Sequence, residues 1–267
     1  MVLIREIAKR RHFNYIGILL LGCAYAAVEE GLACKSFFDP NWMDLNIFSW
    51  YGRWMGVNWP WLLELTIYHA VFSITIPIIL VEYMFPERID ECWVSGKALI
   101  ALILLFVVDV LFINHFISNY TLSFPQLFFT FTLIFIFILS AFLSSNIHFF
   151  FKGLISPRRL WFYGMIWGFS MFFIYIVLPR LQPFPAVIIL LGLIHIYLIY
   201  KIFRNHIFTS FDFKNGFYFS SGVLTYLIAL TPIHEFNVNR PDNPHGMIFI
   251  GLFFSLFLIW LWRRGMR

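Results

Sequence analysis

The hydrophobic positions of the chain occur in long stretches that short polar connections separate. A helix needs about 20 mainly apolar residues to cross the hydrocarbon of a bilayer. Runs such as ALIALILLFVVDVLFI do not alternate apolar and polar residues, as a transmembrane β-strand would. The pattern therefore predicts an all-α, polytopic membrane protein, a single transmembrane domain over residues 1–267. Its transmembrane helices, about eight in number, are predicted at about 13–33, 61–85, 98–117, 127–150, 160–179, 185–203, 216–232 and 247–262.

The seventh of these segments differs from the rest. It is short, and the small residues Ser220, Ser221 and Gly222 lie within it. We therefore expect this helix to be less tilted than its neighbours or broken near these residues.

Composition supports a membrane protein and excludes other classes. Of the 267 residues, 61% are apolar, 21% aromatic and only 12% charged. A soluble domain is nearer 45–50% apolar and about 25% charged. These values exclude a soluble enzyme, a disordered chain and a nucleic-acid-binding module. The expected environment is the lipid bilayer, and no nucleic acid is expected as a partner.

Basic residues predict the orientation of the chain in the membrane. The net charge is +5, and most of the 19 Lys and Arg residues fall in the connections on one side. The other side holds only Lys35, Arg53, Arg180 and Arg240. Cytoplasmic loops carry the excess of Lys and Arg. Both termini are therefore predicted in the cytoplasm, and an even number of spans agrees with this because it returns the chain to its starting side.

Six polar side chains are predicted at similar depth near the outer ends of three neighbouring helices. Glu29 and Glu30 lie near the end of the first, and Glu64 and His69 lie in the outer half of the second. His115 lies near the end of the third, with Asn119 just beyond. At about 1.5 Å per residue they fall in a layer roughly 10–12 Å thick. Ionisable groups in hydrocarbon are costly, so the groups in this layer are candidates for function.

Residue spacing indicates which side chains share a helix face. Gly22, Ala26 and Glu30 follow one another at intervals of four, and Ala33 continues the stripe. Small residues allow helices to approach closely, so this stripe should face the bundle and carry Glu30 inward.

The third helix carries a further acid, Asp109. His115 and Asn119 are also four apart and share a face if the helix continues that far. Asp109 lies about 120° around the helix from His115. We therefore expect Asp109 to be a separate buried group, hydrogen-bonded to a neighbouring helix.

The order of these residues resembles that of the CPBP family, the CAAX-processing and bacteriocin-maturation intramembrane glutamate proteases. The family pattern is EExxxR, FxxxH and HxxxN/D, separated by a few tens of residues, and the resemblance covers residues 22–120. The matching pieces are Glu29-Glu30 in AVEEGLACKSFF, His69 in LTIYHAVFS, and His115 with Asn119 in INHFISN.

This resemblance implies a catalytic role for each matched residue. Glu30, turned inward by the small-residue stripe, is the expected base that deprotonates water, and Glu29 is its partner. His69 would orient the water or the second carboxylate. His115 and Asn119 would donate hydrogen bonds to the developing oxyanion. The substrate would be a membrane-embedded or membrane-associated peptide, and no cofactor is expected.

Other functions use the same residues. In a metal-dependent membrane hydrolase, Glu30, His69 and His115 would bind zinc and Glu29 would be the base. In a transporter or proton-coupled binding protein, the buried acids and imidazoles would relay protons. In an accessory membrane subunit, ordinary hydrogen bonds would neutralise the acidic pair.

Overall fold

The computed structural model describes residues 1–144, 155–206, 213–237 and 243–265. Within these ranges the regular secondary structure is helical, apart from one antiparallel hairpin of β1 (Arg53–Trp54) and β2 (Val57–Asn58). The all-α prediction is confirmed. The α-helices are α1 (Val2–Arg10), α2 (Tyr15–Val28), α3 (Trp59–Tyr68), α4 (Ile76–Met84), α5 (Gly96–Phe112), α6 (Phe124–Ser144), α7 (Pro157–Phe172), α8 (Pro185–His206), α9 (Phe213–Glu235) and α10 (Met247–Gly265).

Four π-helical segments and three 3₁₀ turns complete the described helices. The π-helical segments are Glu29–Ala33 after α2, His69–Thr75 between α3 and α4, Ile113–Ile117 after α5 and Phe173–Val177 after α7. The 3₁₀ turns are Asn46–Ser49, Pro86–Arg88 and Leu178–Leu181.

The helices coincide with the predicted membrane spans. Among the described residues, 7 helices are long and apolar enough to cross a membrane. The predicted segment 185–203 lies in α8, whose described apolar part, Pro185–Lys201, is shorter than these. The predicted end of the fourth segment, at 150, lies outside the described residues. The spans are Tyr15–Ala33, Trp59–Met84, Gly96–Ile117, Phe124–Ser144, Pro157–Leu181, Lys214–Glu235 and Met247–Gly265.

The predicted break near Gly222 is wrong, because α9 is continuous from Phe213 to Glu235. Ser220 and Ser221 are buried. A Cβ atom at Gly222 would lie 1.9 Å from the carbonyl oxygen of Trp161 in α7. The small residues serve a close helix–helix contact and do not interrupt the helix.

The described helices belong to two compact units. The first comprises Met1–His148 and Ile174–Ile194, and the second comprises Phe149–Phe173 and His195–Arg267. In the second unit, α9 packs against α7 and α10. The single domain expected over 1–267 stays a prediction.

In the first unit, α2 lies at the centre of the packing, against α6 and the segment His69–Thr75. A Cβ atom at Gly22 would lie 2.7 Å from Cα of Ala70, so only glycine permits this approach. Ala26 has no exposed surface, and Ala33 is 1% exposed. The stripe of small residues therefore faces the bundle as predicted.

Candidate functional site

Two π-helical segments position the candidate site in the first unit. Glu29 and Glu30 begin the segment Glu29–Ala33, and His69 begins the segment His69–Thr75. The Gly22–Ala70 contact brings the two helices together, which places the acidic pair beside the imidazole. Local π-helix in an otherwise α-helical element is rare and is frequent at functional sites.

Both carboxylate oxygens of Glu30 are engaged. Its Oε1 lies 2.9 Å from Nε2 of His69, and its Oε2 accepts a hydrogen bond from the Ser36 hydroxyl. The Ser36 oxygen in turn accepts a hydrogen bond of 3.0 Å from the Trp61 indole N–H. Glu30 is buried. These contacts fix the orientation of its side chain.

His69 lies between two carboxylates. Its Nδ1 is 3.3 Å from Oε2 of Glu29 and 3.1 Å from the Ser73 hydroxyl, while its Nε2 contacts Glu30. A neutral imidazole donates from one ring nitrogen and accepts at the other. This arrangement can therefore pass a proton between the two acids. We call Glu29, Glu30 and His69 the Glu–His–Glu cluster.

Glu29 is the most accessible acid of the cluster. Its side chain is 27% exposed, whereas that of Glu30 is 10% exposed. The Tyr25 ring meets the His69 ring edge-on, with 5.6 Å between the ring centroids. Of the two acids, Glu29 is the one that a water molecule or substrate can reach.

The structure does not bring His115 and Asn119 to the cluster. The helix ends at Ile117, and Ser118 is extended, so the two residues do not share a helical face. Both side chains are exposed, and the His115 ring contacts the Phe116 ring at 4.7 Å. Among the described residues, the group of close acids and imidazoles contains neither.

Asn114 and Lys35 join the end of the third span to the chain after the first span. The Asn114 amide donates a hydrogen bond of 2.6 Å to the Leu32 carbonyl, and the Lys35 ammonium donates one of 2.9 Å to the Asn114 carbonyl. Burial lowers the pKa of Lys35, and the nearby charge of Asp39 partly offsets this effect. These contacts hold the segment that carries Ser36.

The expectation for Asp109 is wrong, because this side chain is exposed. The span Gly96–Ile117 has no buried residue in its most apolar stretch. No neighbouring helix among the described residues covers Asp109, so the hydrogen bond expected from burial does not form.

Sequence reasoning missed the two serines that support the cluster. Ser73 lies four residues after His69, a helical spacing that could have identified it. Ser36 lies beyond the end of the helix and reaches Glu30 through a turn. No periodicity predicts that contact.

A second buried polar network, the Arg5–Glu82 network, lies at the other end of the second span. Glu82 Oε1 is 3.3 Å from Nε of Arg5 and 3.1 Å from Nζ of Lys9, and the Tyr15 hydroxyl donates to Glu82. The Arg5 guanidinium lies 3.4 Å from the centre of the Trp93 ring. Its position, about 20 Å along the helix from His69, separates this network from the Glu–His–Glu cluster. The network anchors α1.

The donor set of the cluster suits a metal ion. Glu29, Glu30 and His69 each offer one ligand atom, and these atoms lie within 4.8 Å of one another. Carboxylate oxygen and imidazole nitrogen are ligands for zinc at about 2.0–2.2 Å. His115 is not part of this group, so the predicted set Glu30, His69 and His115 is not assembled. A metal would take Glu29 as its third ligand.

The helices and their apolar surfaces define a multi-pass integral membrane protein. The chain belongs to a family described as an uncharacterized membrane protein family, whose model matches residues 1–267. No curated protein and no solved structure matches the chain. The membrane environment predicted from the sequence is therefore confirmed.

Proposed function

We propose that this protein is an intramembrane hydrolase in which the Glu–His–Glu cluster activates a water molecule for attack on a peptide carbonyl. The observation that carries the proposal is the placement of both ring nitrogens of His69 within 2.9 and 3.3 Å of two different carboxylates. Such an arrangement of titratable groups provides both a base and a path for the proton.

The contacts favour Glu29 as the catalytic base and Glu30 as a positioning residue, the reverse of the roles that the small-residue stripe suggests. Both oxygens of Glu30 are held by His69 and Ser36, whereas the Glu29 side chain is 27% exposed and its Oε2, 3.3 Å from His69, makes no hydrogen bond to a described residue. The Glu29 carboxylate can therefore accept a proton from water. The Glu30 carboxylate keeps the His69 imidazole in place.

Water, the peptide bond and the Glu29 carboxylate account for every bond that forms or breaks in the proposed hydrolysis. Glu29 removes a proton from water, and the hydroxide adds to the carbonyl carbon of the peptide bond. The amine leaves as the carbon–nitrogen bond breaks, and it takes up the proton that Glu29 received. Nδ1 of His69 lies 3.3 Å from Oε2 of Glu29 and stays beside the protonated acid until this transfer.

The resemblance to the CPBP family supports a peptide as the substrate. Glu29, Glu30 and His69 match the family pattern and meet in space. His115 and Asn119 match it as well but have exposed side chains. The proposal therefore assigns the proton chemistry to the cluster and no role to these two residues.

The test is cleavage of membrane proteins by the protein in lipid nanodiscs. The probe is a detergent extract of membrane proteins, and new peptide N-termini are counted by mass spectrometry. We expect Glu29→Gln to lower the rate by about 100-fold or more, because general-base catalysis contributes at least that much. Glu87→Gln is the matched control, since Glu87 is exposed and outside the cluster, and it should keep full activity.

Two results would contradict the proposal. One is the absence of new N-termini with the natural chain, and the other is an unchanged rate in Glu29→Gln. Loss of activity in Glu87→Gln to the same extent would show that the assay does not report on the cluster.

A metal-dependent hydrolase is the second candidate, favoured by the ligand atoms of Glu29, Glu30 and His69 within 4.8 Å of one another. Elemental analysis of the purified protein separates the two mechanisms. About one zinc per chain, lost in His69→Ala, would assign the metal mechanism. Activity that survives a chelator in metal-free protein supports the metal-free one.

A further inference from the structure

Asp109 is an acid on the exposed side of a helix at membrane depth. The span Gly96–Ile117 has a mean hydropathy of 2.6 in its most apolar stretch, and none of that stretch is buried. At about 1.5 Å per residue, Asp109 lies about 12 Å from Ile117 and about 20 Å from Gly96. An aspartate has one methylene group, so its carboxylate cannot reach either interface.

The described part of the chain supplies no partner for this carboxylate. No hydrogen bond or ion pair joins the Asp109 side chain to another residue described in the structure. Lys35, which contacts the end of this helix, is buried and donates to the carbonyls of Asn114 and Ser118. Charged groups within a membrane are costly and almost always pair, so the charged form of Asp109 requires a partner from outside the described residues.

Asp109 lies at the line of contact between α5 and the first span. One turn earlier, Phe106 contacts the Tyr25 ring with a centroid distance of 6.0 Å. Glu29 begins the segment Glu29–Ala33, which packs against α5. We call Tyr25, Glu29, Phe106 and Asp109 the Asp109 seam. Two acids along one seam favour the approach of a cation.

We propose that the Asp109 seam is a docking surface for a membrane-spanning peptide segment that carries a Lys or Arg side chain at the depth of Asp109. The charge of Asp109 is complementary to such a side chain, and the bare apolar surface of α5 is complementary to the rest of the segment. The identification of this segment as the substrate rests on the proposed function. The docking itself does not.

Depth and charge argue against two other occupants of the Asp109 seam, a lipid headgroup and a second copy of this chain. The charged part of a lipid headgroup lies outside the hydrocarbon, about 12 Å from Asp109 along the helix. A second copy of this chain that packed through the same surface would place two Asp109 carboxylates face to face, and like charges repel most strongly in a low dielectric.

The experiment measures binding of synthetic transmembrane peptides to the full chain in lipid nanodiscs. The probes are leucine-alanine helices with Lys, Leu or Glu at the central position, and energy transfer between fluorophores reports binding. We expect the lysine peptide to bind about tenfold more tightly than the leucine peptide, since a polar pair in a bilayer contributes on that order. The glutamate peptide should bind most weakly.

Substitutions at one position separate charge from shape. Asp109→Asn should reduce the preference for the lysine peptide to the level of the leucine peptide, and Asp109→Glu should retain the preference. Asp109→Lys should reverse it in favour of the glutamate peptide. Leu105→Asn is the matched control, because it places an amide on the same exposed face and leaves Asp109 in place.

Equal binding of the lysine and leucine peptides would overturn the proposal, as would a preference that persists in Asp109→Asn. Self-association that depends on Asp109, without preference for lysine, would assign the surface to a second copy and would also overturn it. Binding is measured without turnover. A negative result in this binding experiment is therefore distinct from a failure of Glu29 to support catalysis.

Discussion

His69 and His195 are both histidines in apolar helices, and their contacts give them different roles. His69 has a carboxylate at each ring nitrogen. His195, in the second unit, stacks on the Trp167 ring at 4.8 Å, and its Nε2 lies 2.8 Å from the Ser170 hydroxyl. Neutral hydrogen-bond partners are typical of a structural histidine, whereas two acids provide a path for protons.

The Arg5–Glu82 network has a structural role that can be tested by substitution. Arg5 and Glu82 are 1% and 0% exposed. Arg5→Met leaves the Glu82 charge buried with fewer partners, so we expect about 3 kcal/mol of lost stability. Thermal unfolding in detergent measures this loss.

Arg158→Met is the control for that substitution, since Arg158 is exposed, and its unfolding temperature should not change. An Arg5→Met variant as stable as the natural chain would show that Lys9 and Tyr15 alone satisfy Glu82.

At the scale of residues, the sequence predicts helix faces but not contacts beyond helix ends. The spacing of Gly22, Ala26 and Glu30 correctly predicts that Glu30 faces the bundle, because all three lie in one regular helix or at its end. His115 and Asn119 could not be placed in the same way, because the helix ends between them. Ser36 reaches Glu30 through a turn that no periodicity describes.

At the scale of elements, the π-helical segments change which side chains meet. A π-turn takes one residue more than an α-turn, which rotates the residues that follow it. The segments that begin at Glu29 and His69 bring the side chains of Glu29, Glu30 and His69 together, and neither segment was predicted. Hydrophobic periodicity does not distinguish an α-turn from a single π-turn, so the local direction of these side chains could not be inferred from the sequence.

Close packing of α7 and α9 depends on glycine in the second unit. A Cβ atom would lie 2.1 Å from the Phe219 carbonyl oxygen at Gly164 and 1.9 Å from that of Trp161 at Gly222. Gly222→Leu should therefore separate the helices and cost at least about 2 kcal/mol in unfolding free energy. Chemical unfolding in detergent, followed by tryptophan fluorescence, measures the change.

Gly96→Ala provides the comparison for this variant, because nothing lies within 4 Å of a Cβ atom at Gly96. This control should be as stable as the natural chain. If Gly222→Leu were equally stable, the close approach of α7 and α9 would be wrong.

At the scale of the whole molecule, hydropathy predicts the positions of the seven spans found among the described residues well. Long apolar runs can satisfy their backbone groups in a bilayer only as helices or closed barrels, which leaves few alternatives for a sequence of this kind. The family match over residues 1–267 supports the membrane environment. The cytoplasmic placement of both termini stays a prediction, since it depends on the distribution of Lys and Arg relative to a membrane.

The central claim is that the Glu–His–Glu cluster performs chemistry and is not only structural. The most direct measurement is cleavage turnover per folded molecule in His69→Gln, with the folded fraction determined by size-exclusion chromatography. Glutamine retains a donor for the buried Glu30 but cannot relay a proton. His195→Ala is the control, because His195 is buried in the second unit and has no acidic partner among the described residues.

We expect His69→Gln to remain folded and to lose turnover by about 100-fold or more. His195→Ala should lose stability and retain its turnover per folded molecule. If His69→Gln instead keeps its turnover per folded molecule while its stability falls, the cluster is a structural element and the catalytic account is contradicted.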